Sequence, residues 1–177
     1  MRSLNIVLAS AFLVALGEVL AQGAPPGAGP TDPQIAHIVV TANQVDIDAG
    51  KLAEAKGHSN DVKAFGKQMV TDHSGVNKQA VALVTKLKVT PKDNPTSQSL
   101  KKGGEDNLKN LRGLNGVAFD KAYIDHEIAY HEQVLDALDK VLIPNAKNEE
   151  LNALLVKVRP AFVAHLEHAK TIQANLK

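Results

Sequence analysis

Cysteine and tryptophan are absent from this sequence, and its aromatic rings beyond histidine are limited to 4 Phe and 2 Tyr. The missing thiols exclude disulfides, thiolate metal sites, iron–sulfur clusters, a cysteine nucleophile and a lipid-bearing N-terminal cysteine in one step. A charge excess is missing too: 20 Lys and Arg stand against 19 Asp and Glu, a formal net charge of +1. Without a basic stripe there is little to release counterions from a phosphate backbone, so nucleic acid is not an expected partner. There is no Gly-rich phosphate loop, no nucleophile elbow and no Ser-His-Asp arrangement supported by its context. What remains is an ordinary globular composition, 44% apolar and 22% charged over 177 residues, enough for one domain with a core of its own.

The N-terminus reads as an address. Met1-Arg2 gives a short positive region, and Ile6 to Leu16 is apolar apart from Ser10. Gly17-Glu18 ends the run, and Val19-Leu20-Ala21 suits signal-peptide cleavage, which places a signal peptide at 1–21. About a dozen apolar residues fall short of the roughly 20 needed to span a bilayer, and no later stretch is long enough, so no transmembrane segment is expected in the mature chain. Residues 22–31 (QGAPPGAGPT) have nothing to bury and read as a flexible leader. The folded domain is expected over 32–177, with Asp32 as the first helix cap and Pro33 at the first helical position.

Apolar spacings of three and four predict four amphipathic helices. The first spans about Pro33 to Lys56, the second Asn60 to about Lys88, the third about Val117 to Leu142, and the fourth starts near Asn148. No strand-like alternation competes with them, so the expected fold is an all-α four-helix bundle. Short links join helices 1 and 2 and helices 3 and 4, which makes each pair antiparallel. The connection between helices 2 and 3, roughly Val89 to Gly116, holds Pro91, Pro95 and Gly103-Gly104, with a short helix around Leu108, Leu111 and Leu114. A link of that length can run back along the bundle, as a ferritin-like crossover requires; an up-down-up-down bundle with a decorated loop is the alternative.

Seven His are present, and three fall in apolar seams. His73 follows Phe65 and Met69, His131 follows Ile124 and Ile128, and His165 follows Val158 and Phe162. All three sit near the middle of their helices and so share one layer whichever way the helices run. On helix 1 the matching residue is Asp46, about 60° from the centre of the apolar stripe, with Asp48 about 100° away. Three imidazoles and a carboxylate, one from each helix, suit Zn, Fe, Mn or Cu. Glu127, one turn before His131, and His168, three residues after His165, could extend the site toward two metals. The competing reading is a buried hydrogen-bond network of His with Asp46 or Tyr123. Chance alone would put about two of six helical His in a seam covering a third of each helix. Asp72 is expected to support His73 from the surface, and Asp120 and Tyr123 to orient each other or a His. His37, His58 and His126 point away from the seams toward solvent, and Pro160 should kink helix 4.

The runs KAFGKQMVTDH (Lys63 to His73), GVAFDKAYIDHEIAYH (Gly116 to His131) and RPAFVAHLEHAK (Arg159 to Lys170) resemble an exported bacterial ferritin-like family. That family is described as a domain of unknown function and often labelled "predicted outer membrane protein". Its motifs fall here on Met69, Asp72 and His73, on Phe119, Asp120, Tyr123 and His131, and on Pro160 and His165. Its acidic residue on the first helix, usually Glu, corresponds to Asp48 ahead of Gly50, Leu52 and Ala53, with Asp46 two residues earlier. The resemblance implies a ferritin-like fold and export, with no established activity. With no lipid-anchor Cys and no barrel strands, the periplasm or secretion, in association with the envelope, is the expected location.

Three functions follow. One is a periplasmic bundle that binds a transition metal through His73, His131, His165 and Asp46 or Asp48. Another is a non-enzymatic envelope module, with an envelope protein or a second copy of the chain as partner, whose His layer is only a core network. The third, a carboxylate-bridged dimetal oxidase, fits least, because no Glu-x-x-His pair occurs.

Overall fold

The computed structural model describes residues 29–176, so the signal peptide at 1–21 and the leader as far as residue 28 lie outside it. All regular structure among the described residues is helical: α1 (Asp32–Lys56), α2 (Asn60–Leu87), α3 (Pro95–Arg112), α4 (Gly116–Ala137), a π-helical turn (Leu138–Leu142), the short α5 (Ile143–Asn145) and α6 (Glu149–Asn175). The four-helix count needs correction. The long connection is not a loop with a short turn of helix but carries the 18-residue α3. Asn94 caps α3 by accepting from Ser97 N–H at 3.1 Å, with Pro95 as its first residue.

Helix ends follow their local chemistry, with one shift. Thr31, not Asp32, is the cap of α1, and its N–H donates to Gln34 Oε1 at 2.9 Å. That frees the Asp32 carboxylate to accept from the N–H groups of Lys147 and Asn148 at 2.9 and 3.0 Å, tying the start of α1 to the start of α6. At the other end, buried Asp120 on α4 accepts from His58 and Ser59 N–H at 2.8 and 2.7 Å. Asp120 therefore holds the α1–α2 turn and does not orient a His.

Cross-helix pairs fix the directions. Lys86 with Glu150, Gln79 with Lys157, and Asp72 with His165 set α2 antiparallel to α6. Asp139 with Arg159, Glu132 with Lys170, and Asp125 with Gln173 set α4 and the π-helical turn after it antiparallel to α6. Hence α2 and α4 run parallel, and the chain between them must return the length of the bundle. α3 makes that return packed along α1. The α1–α2 contact is close: a Cβ on Gly50 would lie 2.7 Å from the Gly66 carbonyl oxygen, and one on Gly66 would lie 2.7 Å from that of Gly50.

The core is two apolar clusters with a polar layer between them. One holds Ile38, Val45, Val76, Val134 and Phe162, and the other Ala49, Met69, Tyr123, Ile124 and Ala169. Along all four long helices the chain passes from one cluster to the other across a single polar level: Asp46 on α1, His73 on α2, Glu127 and His131 on α4, His165 on α6. No helix among the described residues is long and apolar enough to cross a membrane.

Candidate metal centre

Each imidazole in this layer is anchored on its outer side by an oxygen. His73 Nδ1 lies 2.8 Å from Asn43 Oδ1. Asn43 Nδ2 is committed to the Val39 carbonyl at 2.7 Å, so Asn43 offers an acceptor and His73 Nδ1 carries the proton. His131 Nδ1 donates to the Glu127 carbonyl at 2.9 Å, and His165 Nε2 donates to Asp72 Oδ2 at 2.9 Å. A neutral ring with one N–H has a lone pair on its other nitrogen. Those nitrogens, His73 Nε2, His131 Nε2 and His165 Nδ1, are buried without a hydrogen-bond partner. One ring nitrogen from each of the three lies within 4.8 Å of one from each of the others.

Asp46 and Glu127 stand beside this trio, both essentially inaccessible; no N–H group reaches their four carboxyl oxygens, and the two carboxyls have each other as side-chain hydrogen-bond partners. Asp46 Oδ2 is 3.4 Å from His73 Nδ1, and Glu127 Oε2 is 3.6 Å from His131 Nδ1. Asp46, Glu127 and His131 form a second set whose donor atoms lie within 4.8 Å of one another. Glu127, expected as a flanking residue, is thus central.

Burial sets the charge states. It pushes the Glu127 carboxyl up to about 8 and raises Asp46 well above the carboxylate range, with the charge of Glu127 adding to the effect. Burial likewise lowers the imidazoles, His131 to about 4 and His73 well below its usual value, where the neighbouring His131 and His165 add to the shift. Neutral imidazoles and carboxyls driven toward neutrality are what burial without a compensating charge produces.

The remaining candidates fall elsewhere. Asp48 lies outside the cluster: two residues from Asp46 is 200° around a helix. Its carboxylate accepts from Gln44 Nε2 at 2.9 Å and lines a groove between α1 and α3 with Ser97 and Lys101. His168 is exposed, bonded to Gln68 Oε1 at 2.9 Å and edge-on to Phe65. His58 is exposed as expected, whereas His37 is half-buried near Asp93. His126 is not solvated either: it stacks on Tyr130, and burial holds it at about 4. Pro160 sits on the exposed side of α6, which continues through it. Tyr123 is fully buried one turn before Glu127, and its hydroxyl has no partner. Asn43 was not singled out from sequence; a polar residue three before Asp46, on the same inner stripe, was the available signal.

Residues 17–172 match the family model DUF4142, described as a domain of unknown function. No curated protein and no solved structure matches the chain.

Proposed function

The chain belongs to the DUF4142 family, and from that premise we propose that it is an exported bundle protein that binds a transition metal in its core. The observation that carries the reading is the state of the three imidazoles. Each has its outer N–H committed to an oxygen and its inner lone pair unpartnered, the arrangement that fixes tautomer and ring orientation in histidine metal sites. Three unpartnered lone pairs in one dry layer are costly, and a cation would remove that cost. The donor set of His73, His131 and His165, with carboxylates from Asp46 and Glu127 close by, suits Zn, Fe, Mn or Cu.

The finer fold reading is ferritin-like, with α1, α2, α4 and α6 as the four bundle helices and α3 as an elaborated crossover. It is supported by the parallel run of α2 and α4 and their single long connection. Export to the periplasm or beyond is supported by the pattern of residues 1–21. Storage or handling of the metal, with no reaction, is the activity this arrangement favours.

Thermal unfolding tests the reading. A ligand that binds only the folded state stabilises it by about 2.7 kcal/mol at a free concentration one hundred times Kd, which is roughly 5–10 °C for a domain of this size. Metal-free protein should show such a rise with at least one of Zn2+, Fe2+, Mn2+ or Cu2+. No rise with any of them would leave the layer as a core network and the protein as an envelope interaction module.

A further inference from the structure

The donors in the core layer are of two chemical kinds, and the geometry points to two separate cation positions: an all-imidazole position at His73, His131 and His165, and an oxygen-rich position at Asp46 and Glu127. This rests on the metal-binding reading above and deepens it. The two donor sets share only His131; Glu127 falls in the second set and not in the first. The layer is therefore elongated, and one ion among the imidazoles leaves the Glu127 oxygens without a cation.

No cationic side chain among the described residues is paired with the two carboxyls. The N–H groups of His73 and His131 point to Asn43 and to the Glu127 carbonyl. The Tyr130 hydroxyl, the nearest buried phenol toward the other cluster, donates to the Ala42 carbonyl at 3.1 Å. Among the described residues, the ion-pair contacts of Asp46 and Glu127 are with His73 and His131 alone, and no Lys or Arg reaches them.

Tyr123, one turn before Glu127 on α4, supplies an independent observation. Tyr123, Glu127 and His131 are spaced by four and form one stripe of α4, and Tyr123 is fully buried with its hydroxyl unpartnered. A third buried oxygen without a hydrogen-bond partner thus lies near enough to the two carboxyls for their charges to act on it. Oxygen-rich donor sets favour harder ions such as Mn2+, whereas imidazole sets favour Zn2+, Cu2+ and Ni2+. The two positions should therefore differ in ion preference and load separately.

Metal-free full-length mature protein is titrated with Zn2+ or Mn2+, and the bound ion is counted by elemental analysis after gel filtration. Wild type should saturate at two Zn2+ per chain. Glu127→Gln, close in volume to the original, should drop to one Zn2+ and lose Mn2+. His165→Ala should also hold one ion and keep Mn2+. A wild type that saturates at one Zn2+, unchanged in Glu127→Gln and lost in His165→Ala, overturns the second position and leaves the metal reading intact. No bound ion in wild type overturns both. If His165→Ala fails to fold by circular dichroism, the wild-type count and Glu127→Gln still decide.

Discussion

His165 on α6 donates its Nε2 proton to Asp72 on α2 at 2.9 Å, so a half-exposed carboxylate decides which nitrogen of a buried imidazole keeps its lone pair. The link joins surface to core, and in the proposed metal site it gives Asp72 a positioning role rather than that of a ligand. Asp72→Ala should weaken metal binding by about 10–100-fold, the usual cost of losing such a support. Asp72→Asn keeps an oxygen acceptor and should lose less. Competition against a chelator of known affinity measures both; equal affinity in all three proteins would contradict the role.

The glycines of α2 should respond in opposite directions. Gly66 meets the Gly50 carbonyl oxygen and the Ala53 side chain, with no room for a methyl group, while nothing lies within 4 Å of a Cβ placed on Gly75. Gly66→Ala forces the α1–α2 contact apart and should cost about 1–3 kcal/mol. Gly75→Ala should stabilise by about 0.5–1 kcal/mol, because it removes backbone freedom from the unfolded chain at no steric cost. Urea midpoints of the metal-free proteins compare the two directly. A stable Gly66→Ala would mean that the helices do not approach this closely.

Glu127 should change sign with metal. In metal-free protein its buried carboxyl has no N–H donor and only the Asp46 carboxyl beside it, and removing a poorly satisfied buried group relieves about 1–3 kcal/mol. Glu127→Met should therefore raise the melting temperature of the metal-free form. With metal present the same change should reduce the stabilisation the ion brings. Melting curves in chelator and in excess Mn2+ show both effects; a loss of stability in chelator would mean that Glu127 is well satisfied in the apo fold.

The pH dependence of the metal-free protein has two limbs. His131 and His126 fall from 6.5 to about 4 in the fold. Between those values the unfolded chain binds the extra protons, so stability is lost as pH falls from 6.5 toward 4. Glu127 rises from 4.5 to about 8, so there the folded chain holds the extra proton and stability is lost as pH rises from 4.5 toward 8. Metal-free protein should be most stable near the middle of this range. Bound metal holds the carboxylates ionised and should remove the alkaline limb. Urea titrations at a series of pH values, with and without metal, test it; identical profiles would contradict the shared site.

The helices and their seams were legible because each long helix has to bury an apolar stripe, and the stripe shows its period. The axial coincidence of His73, His131 and His165 was legible for the same reason. Asp46 could be separated from Asp48 by angle alone, since 200° cannot leave both residues on the same face. α3 was largely hidden: it buries only Thr96, Ser97, Leu100, Gly104 and Leu111, and Gly103-Gly104 reads as a break. Gly104 is small because Val45 of α1 lies 2.8 Å from where its Cβ would be, a tertiary reason that no local pattern carries. His126 looked solvated because it lies off the seam, yet Tyr130, one turn later, covers it. The π-helical turn at Leu138–Leu142 left no trace either, since both terminal leucines are buried and continue the helical rhythm.

The most direct test of the metal-binding reading is elemental analysis of the mature protein purified without an affinity tag or chelator, beside a His73→Ala/His131→Ala double variant. The account predicts at least one transition-metal ion per chain in the wild type and at least one ion fewer in a variant that circular dichroism shows is still helical. No metal in either protein, with no uptake of Fe, Zn, Mn or Cu on reconstitution, would contradict it.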